Sequence, residues 1–539
     1  MLNLKMMKFS VVKNHKILCS WSFLAFCLFY TITHLLFKIN GSLNSDISSE
    51  LILGKLVAEE GNLMMSMNWF YPTEIRVLQM QVIYGFFFRF FDSYFVVRIL
   101  SSISAYVIFL ASLFFLLKSL DLTKFFPIVG GILLLPLSYW YSDVMLMGMY
   151  YLPLVTLSFA ILGLLALLVK RENFNIYEIG FIFILSIFGG INGLRLFIVL
   201  FLPMLLAGIW SYFSQQNEKG CRILIVSSIA FLGAVFGYLV NHFFLANYFQ
   251  FHNYQTGLQF KSLEFLNIAQ IVSSFLVAFG YVSEQKCFSY ALIQNAFAVF
   301  FFSATLFAWW SLSKIRDLTP SRHFFSSMSL VSLLLMFSCY IFTSMELVPR
   351  YFVPVIVYCP IVISIAIDAI FSKKNDACYT EVQNTPKSFK IIRYFGVMPI
   401  AIFVCVFAFM AVRPVYKDLV IPKHHQSEKQ VLASFLTSNG FYNGYATFWN
   451  ANVLTELSNG KIEVWAIQDV LNSSSIYQWL QRKDHITRKP DGKLFILLSK
   501  QEDKYFSSKY KMPKTVKVFQ NNSYVIYGFD NEHQLPSNW

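Results

Sequence analysis

One acidic residue, Asp46, has the position and the chemistry expected of a catalytic group. It lies in Asn44-Ser45-Asp46, a short distance after an apolar run long enough to span a membrane. A carboxylate at the edge of a bilayer can accept the proton of a hydroxyl group as that hydroxyl attacks an electrophilic carbon, which is general-base catalysis. The same polar triplet can instead cap the helix that follows it. The residues alone favour neither interpretation.

A charge pair, Glu74 and Arg76, follows three consecutive aromatic residues at positions 69–71. Aromatic side chains are common where a protein crosses the surface of a membrane, and they also suit the face of a sugar ring. The first explanation is the more common one. The second predicts Glu74 as a supporting catalytic carboxylate and Arg76 as a substrate-binding residue.

Three further arginines lie where predicted spans meet the same membrane face. Arg98 is early in the second span, Arg195 ends the glycine-rich segment 189–195, and Arg350 follows Glu346 in another short turn. A guanidinium stays charged and binds phosphate oxygens through two parallel hydrogen bonds, so these residues can hold a phosphate and stabilise it as a leaving group. The alternatives are snorkelling to the interface and pairing of Glu346 with Arg350 at helical spacing.

Metal and nucleotide motifs are not visible in the sequence. His242, His252 and the pair His424-His425 have no ligand partner at a characteristic spacing, so we predict no metal site and no cofactor. One alternative stays open, a divalent-ion site formed by Asp46 or Glu74 with a histidine from residues 241–252. The chain has no Walker A, dinucleotide, Gly-x-Ser-x-Gly or His-Glu-x-x-His motif, which disfavours ATP-driven and hydrolytic chemistry.

The elements that must position these residues are membrane helices. Hydrophobic residues make up 56% of the 539 residues and charged residues 13%, whereas soluble domains carry about 25% charged residues. Apolar runs of about 20 residues, the length that spans a bilayer, recur along the chain. We predict eleven spans, at residues 17–37, 94–117, 125–140, 145–168, 176–190, 196–214, 223–245, 290–312, 324–344, 351–371 and 394–413.

The net charge of +14 reflects topology rather than nucleic-acid binding, because Lys and Arg lie in the short connections between apolar runs. With the N-terminus in the cytoplasm, every basic connection is cytoplasmic, as the positive-inside rule requires. Counting residues 266–281 as a span would break this rule, so we predict an interfacial or re-entrant helix there. The loop 38–93, the turns 191–195 and 346–350 and the C-terminal segment then share the outer side.

The chain therefore divides into a membrane domain, residues 1–413, and an extracytoplasmic C-terminal domain, residues 414–539. Helical spacing in the outer loop predicts surface helices over residues 46–60 and 74–90. Alternating helices and strands predict a small α/β domain with a partly parallel sheet. Its predicted helices are 427–438, 451–458 and 475–481, and its predicted strands are 445–449, 462–467, 493–498, 515–519 and 523–527. The predicted fold class is a polytopic α-helical membrane protein, with about eleven transmembrane helices, that carries a small C-terminal α/β soluble domain.

This arrangement resembles the GT-C glycosyltransferase superfamily, particularly bacterial proteins similar to protein O-mannosyltransferases and aminoarabinose transferases. The resemblance covers most of the chain through short motifs, listed here: Asp46, Arg98, residues 189–195, Arg350-Tyr351 and residues 445–452. It implies that Asp46 is the base, with Glu74 in support, and that Arg195 or Arg350, beside Tyr351, contacts a polyprenyl-phosphate carrier. The acidic pair that commonly follows the first span in this family is here Ser45-Asp46.

The resemblance and the residues together predict a glycosyltransferase of the bacterial plasma membrane. It would transfer a sugar from a polyprenyl-phosphate donor to a glycan, lipid or protein acceptor on the outer face. Its other expected partners are membrane lipids, and no nucleic acid is expected to bind. The C-terminal domain would cover the site and help to choose the acceptor. Two alternatives stay open: a transporter or flippase for lipid-linked sugars, and a non-catalytic scaffold for envelope assembly in which Asp46 only caps a helix.

Overall fold

The computed structural model of the chain describes residues 2–72, 76–171, 175–215, 218–249, 268–282, 291–315, 317–377 and 427–536. Several predicted features lie outside these residues: Glu74, His252, the histidine pair 424–425, the span over residues 394–413 and the domain boundary at residue 413.

Helices form nearly all of the membrane domain. They are α1 (Leu2–Ser42), α2 (Ser45–Glu59), α3 (Met80–Phe88), α4 (Tyr94–Ser119), α5 (Phe126–Leu134), α6 (Tyr139–Tyr141), α7 (Leu152–Lys170), α8 (Ile176–Ile191), α9 (Leu202–Gln215), α10 (Glu218–Val240), α11 (Ala246–Tyr248), α12 (Ile268–Ala278), α13 (Ala291–Ser313), α14 (Pro320–Phe342), α15 (Val353–Ile356) and α16 (Cys359–Ala377). Short π-helical segments, Ser142–Met147, Phe197–Phe201 and Asn241–Leu245, continue three of the spans.

The predicted spans correspond to helices in the described part of the chain. Eight helices there are long and apolar enough to cross a membrane: Leu18–Ser42, Tyr94–Ser119, Leu152–Lys170, Phe197–Ser214, Glu218–Tyr248, Ala291–Ser313, Pro320–Phe342 and Pro349–Phe371. The span predicted at 176–190 is the shorter helix α8, with 16 residues. Within the described ranges helix α12 has 11 residues, which at 1.5 Å per residue cover less than about 30 Å of hydrocarbon.

One predicted span, residues 125–140, is broken. Its two halves, Thr123–Leu134 and Tyr139–Met147, are bent by 101°. The break falls at Leu135, whose backbone is extended with ψ 146° and which precedes Pro136. A residue before proline avoids the helical conformation because the proline ring clashes with it. The broken span places residues 142–147 beside the first loop.

Basic connections meet at the end of the bundle opposite that loop. Arg322 donates a hydrogen bond to Asp368 at 2.7 Å and another to the carbonyl of Leu120 at 2.8 Å. Lys124 also pairs with Asp368, and Lys170 pairs with Asp121 at 2.6 Å. Three connections that the positive-inside rule assigns to one compartment therefore lie together.

The two predicted surface helices form, but α2 is enclosed instead of lying open at a surface. Nine of its fifteen residues are buried, because α3 packs on one side and a helix of the C-terminal domain covers another. Gly54 permits the close approach of α3: a Cβ atom at this position would lie 2.5 Å from the Cβ atom of Tyr84. Tight packing therefore holds the helix that carries Asp46.

The C-terminal domain is the predicted α/β unit with a partly parallel sheet. Its helices are α17 (Glu428–Ser438), α18 (Phe448–Leu457) and α19 (Lys500–Lys509), and its strands are β1 (Asn443–Thr447), β2 (Glu463–Asp469), β3 (Asn472–Ile476), β4 (Leu494–Ser499), β5 (Lys517–Gln520) and β6 (Tyr524–Phe529). The strand order is β3-β2-β1-β4-β6-β5. Strand β1 is parallel to both β2 and β4, and the other pairs are antiparallel.

One local prediction in this domain is wrong, and one helix was missed. The helix predicted at 475–481 is replaced by strand β3, because residues 472–476 pair with the edge of β2 and tertiary pairing overrides local propensity. Helix α19 was not predicted, although Ser499 and Glu502 form a capping box at its start, which is a recognisable signal.

Replacing Gly54 by alanine should destabilise the protein by roughly 1–3 kcal/mol, since the added methyl group overpacks the α2–α3 contact. The measurement is thermal unfolding of the purified protein in detergent. Gly180→Ala in helix α8 is the matched control, because a Cβ atom there meets nothing within 4 Å. Equal effects of the two substitutions would show that helix propensity, and not the close approach, governs position 54.

Candidate functional site

A central cavity of about 860 Å³ lies between the membrane helices, the first loop and the C-terminal domain. Four separate parts of the chain, predicted to share one side of the membrane, meet around it. The residues that line it are Asp46, Glu50, Leu53, Trp69, Tyr71, Pro72, Arg76, Gln79, Gln81, Val144, Tyr150, Tyr151, Arg195, Glu346, Arg350, Tyr351, Thr447, Phe448, Trp449, Ile467, Gln468, Tyr477, Trp479 and Leu480. Asp46 and four predicted substrate-binding residues are therefore in one place.

Asp46 lies in the first turn of α2, and the capping role considered for it belongs to Asn44. The side-chain oxygen of Asn44 accepts a hydrogen bond from the backbone N–H of Ile47 at 2.9 Å. Burial raises the pKa of the Asp46 carboxyl, while the positive charges of Arg350 and Arg76 oppose that rise. The carboxyl group of Asp46 is thus available to the cavity and is more basic than that of an exposed aspartate.

A second carboxyl group, Glu50, lies one helical turn further along α2 and lines the same cavity. Burial raises its pKa from the ordinary 4.5 to about 7, against the opposing charges of Arg76 and Arg98. We did not predict Glu50 as a site residue. Its spacing of four residues from Asp46, which places both carboxyl groups on one helix face, is the signal that could have found it.

Two of the predicted arginines lie among tyrosine rings at the membrane side of the cavity. The guanidinium carbon of Arg195 is 4.5 Å from the ring centre of Tyr151 and 5.3 Å from that of Tyr351. The guanidinium of Arg350 is 5.7 Å from the same Tyr351 ring. Cation–π contacts at these distances hold the charged groups in place. Tyr351 therefore orients both arginines.

The turn that carries Arg195 is tied to the segment that carries Arg76. The side-chain oxygen of Asn192 accepts hydrogen bonds from the backbone N–H groups of Val77 and Leu78 at 2.9 and 3.2 Å. Gly193 has φ +97°, a conformation that residues with a Cβ atom rarely adopt. The glycine-rich motif thus brings two cations to one cavity.

Arg98 does not line the cavity, so the prediction that it binds substrate is not supported. Its side chain is 1% exposed. It forms a two-point ion pair with Glu456 of helix α18, with one distance of 2.7 Å, and it donates hydrogen bonds to the Tyr84 hydroxyl at 3.1 Å and the Ile47 carbonyl at 3.2 Å. The sequence alone indicates that Arg98 lies at a membrane edge. It does not indicate that Arg98 pairs with Glu456, which is 358 residues later in the chain.

Further hydrogen bonds join the C-terminal domain to the first loop. Asn452 donates to the Ser49 hydroxyl and to the Leu480 carbonyl, both at 2.7 Å. The backbone of Phe70 pairs with Gln481 at 2.9 Å and with Leu480 at 2.8 Å. These bonds attach residues 480–481 to the loop and α18 to α2. The C-terminal domain is accordingly a wall of the cavity.

A second cavity, of about 680 Å³, lies beside the first and is lined by Asn44, Asp143 and Lys429 among others. Asp143 is in the π-helical segment after the broken span, and the following residue, Val144, lines the central cavity. Within the described ranges, no group of three His, Cys, Asp or Glu side chains is placed to hold a metal ion.

Replacing Glu456 by alanine should lower stability by about 3–5 kcal/mol, because it leaves Arg98 charged and buried without its partner. The double variant Arg98→Met/Glu456→Ala should recover much of that loss in thermal unfolding. Glu532→Ala is the control, since its partner Lys489 is 72% exposed and surface pairs contribute about 0–1 kcal/mol. If the stability losses of the two single substitutions simply added in the double variant, the assignment of a buried Arg98–Glu456 ion pair would be contradicted.

Replacing Glu50 by glutamine should stabilise the protein at pH 8 and not at pH 4. Its raised pKa means that the folded state retains a proton which the unfolded chain releases, so wild-type stability falls between pH 4.5 and about 7. The free energy of unfolding of the variant should not fall over this pH range. At pH 8 it should exceed that of wild type by roughly 2–3 kcal/mol. Melting temperatures across this pH range measure it, with the half-exposed Glu59→Gln as control. A constant difference between variant and wild type would contradict the prediction.

Comparison with known proteins bears on the fold. No family model matches the chain, and no curated protein sequence matches it. The crystal structure of ArnT from Cupriavidus metallidurans bound to undecaprenyl phosphate has a TM-score of 0.55 and 12% identity, over 94% of this chain and 97% of that one. The apo structure of the same ArnT has a TM-score of 0.52 and 12% identity, over 92% and 95%. This chain therefore shares the fold of ArnT over nearly its whole length.

Proposed function

We propose that this protein transfers a sugar from a polyprenyl-phosphate donor to an acceptor at the outer face of a bacterial plasma membrane. The observation that carries the proposal is one cavity in which the carboxyl of Asp46 lies with three guanidinium groups, those of Arg76, Arg195 and Arg350. A base and a phosphate-binding cluster are the two parts that such a transfer needs. The bound undecaprenyl phosphate of the structurally similar ArnT supports the donor class.

In this reaction the acceptor hydroxyl attacks the anomeric carbon of the donor sugar. The new bond joins the acceptor oxygen to that carbon, and the bond between the carbon and the phosphate oxygen breaks, with its electron pair leaving on the polyprenyl phosphate. The hydroxyl proton passes to Asp46. The raised pKa of Asp46 strengthens it as a proton acceptor, provided that the pH is high enough to keep it ionised.

The arginines act on the leaving group. As the bond to phosphate breaks, negative charge grows on the departing oxygen, and fixed positive groups in a site shielded from water stabilise that charge. Arg195 and Arg350 are already oriented by Tyr151 and Tyr351, so little side-chain entropy is lost when the phosphate binds. A nucleotide is unnecessary here, because the lipid carries the activated sugar to this face.

The decisive experiment replaces Asp46 by asparagine and measures transfer from polyprenyl phosphate carrying a labelled sugar, in lipid vesicles that contain the purified protein. Removing the base should reduce the rate at least 100-fold, while the melting temperature stays within a few degrees of wild type. Asp92→Asn is the matched control, because that residue lies in the same loop with its side chain 99% exposed.

The two alternative functions predict other results. A scaffold would show no labelled product with wild type or with either variant. A flippase would move the intact donor between leaflets, which a membrane-impermeant reagent for the sugar detects, and would leave the sugar–phosphate bond uncleaved. Either result would refute the proposed transfer.

A further inference from the structure

The C-terminal domain faces the central cavity with the carboxyl ends of its parallel strands. Strands β1 and β2 are parallel, with Thr447 opposite Ile467, and both residues line the cavity together with Gln468. In sheets of this kind ligands bind beyond the carboxyl ends of parallel strands. The orientation of the domain is therefore that of a binding domain, and not only that of a cover.

A row of aromatic rings follows these strand ends. The rings of Phe448 and Trp449 lie 5.3 Å apart, those of Phe448 and Tyr477 5.7 Å apart, and those of Tyr477 and Trp479 6.3 Å apart and nearly parallel. All four line the cavity, and Trp449 is 59% exposed. An exposed tryptophan in a row of rings offers a flat apolar surface of the kind that receives a sugar ring.

Other side chains that line the cavity hold buried polar atoms that find no hydrogen-bond partner among the described residues. They are the indole N–H of Trp69, both amide atoms of Gln79 and the hydroxyl of Tyr150, on side chains that are at least nine-tenths buried. Native proteins rarely leave buried polar groups unsatisfied. Together they offer both donors and acceptors, so the ligand that completes them must also carry both, as hydroxyl groups do.

Charge separates the two ends of the cavity. Its three cations, Arg76, Arg195 and Arg350, belong to the membrane domain, whereas the eight residues that the described C-terminal domain contributes are all uncharged. Trp69 belongs to the uncharged end, because its backbone bridges to Arg482 of that domain. A phosphate is therefore stabilised at one end only, and a neutral group with hydroxyls fits the other. A volume of about 860 Å³ lies in the range of sites that bury ligands larger than one sugar ring.

We propose that the row Trp449, Phe448, Tyr477 and Trp479 binds a neutral sugar ring of the acceptor, with the indole N–H of Trp69 donating a hydrogen bond to one of its hydroxyl groups. The acceptor of this enzyme is then a neutral glycan. Only the role of this saccharide as an acceptor rests on the proposed function. The binding of a neutral saccharide at this place can be tested without any transfer.

The test uses the full-length protein in lipid nanodiscs and saturation-transfer difference NMR with neutral trisaccharides, namely maltotriose, cellotriose and chitotriose, compared with trigalacturonate as an anionic trisaccharide. At least one neutral trisaccharide should give a strong signal, and trigalacturonate should not. Trp449→Ala should reduce the neutral signal at least tenfold, and Trp449→Phe should retain most of it. Tyr442→Ala is the control, because Tyr442 is a 49% exposed aromatic residue that precedes the opposite end of β1.

A second measurement separates this inference from the proposed function. With a labelled polyprenyl-phosphate sugar and the trisaccharide that binds, Trp449→Ala should lower the ratio of transfer to hydrolysis about tenfold. If no donor is cleaved but Trp449-dependent binding is found, the proposed function fails and the saccharide site stands. If no neutral trisaccharide binds to wild type, or if Trp449→Ala and Tyr442→Ala behave alike, the saccharide site is refuted even where donor cleavage is observed.

Discussion

A buried ion pair, Arg98 with Glu456, is the interaction on which the rest of the site depends. A charge taken out of water is tolerated only with a partner of opposite charge and good hydrogen bonds, and here the cation comes from the second span and the anion from the C-terminal domain. The same guanidinium donates a hydrogen bond to the carbonyl of Ile47, the residue after Asp46. The position of the C-terminal domain and the position of the candidate base are therefore determined by one group.

The central cavity gathers charges that would each be costly alone. Asp46 and Glu50 lose hydration when α2 is enclosed, and nearby cations compensate only in part, Arg350 and Arg76 at Asp46 and Arg76 and Arg98 at Glu50, so the pKa values of both carboxyls stay raised. Arg195 and Arg350 in turn rest against the rings of Tyr151 and Tyr351. An arrangement of acids with elevated pKa values beside fixed cations is typical of catalytic sites and uncommon in walls that only support a fold.

Features encoded by local pattern were predictable from the sequence. Apolar length located the spans, and strand and helix alternation identified the α/β domain. The turns with Arg195 and Arg350 were placed on one side by the distribution of Lys and Arg alone, and the structure brings both to one cavity. Predictions failed where a contact distant in sequence decides the outcome. Arg98 lies outside the cavity because it pairs with Glu456, which is remote in sequence.

The same limit applies to other parts of the site. The helix predicted at 475–481 does not form, because residues 472–476 pair with β2 as strand β3. Part of the aromatic row of the C-terminal domain lies in the motif of residues 445–452, but its rings at positions 448–449 and 477–479 become neighbours only after β2 and β3 have formed. Glu50 is different, because its spacing of four residues from Asp46 is visible in the sequence. That spacing indicates a site only once α2 is known to be enclosed by two other elements.

The joint between Phe70 and residues 480–481 also constrains biogenesis. The loop that begins the cavity is made early during synthesis, whereas the wall that closes it is made after nearly all the membrane helices, and domains generally fold in the order in which they are made. Until that late segment folds, α2 lacks its cover, and the carboxyl of Asp46 faces water. A nascent chain thus cannot form the closed cavity early, since folding of the C-terminal domain itself completes the cavity wall.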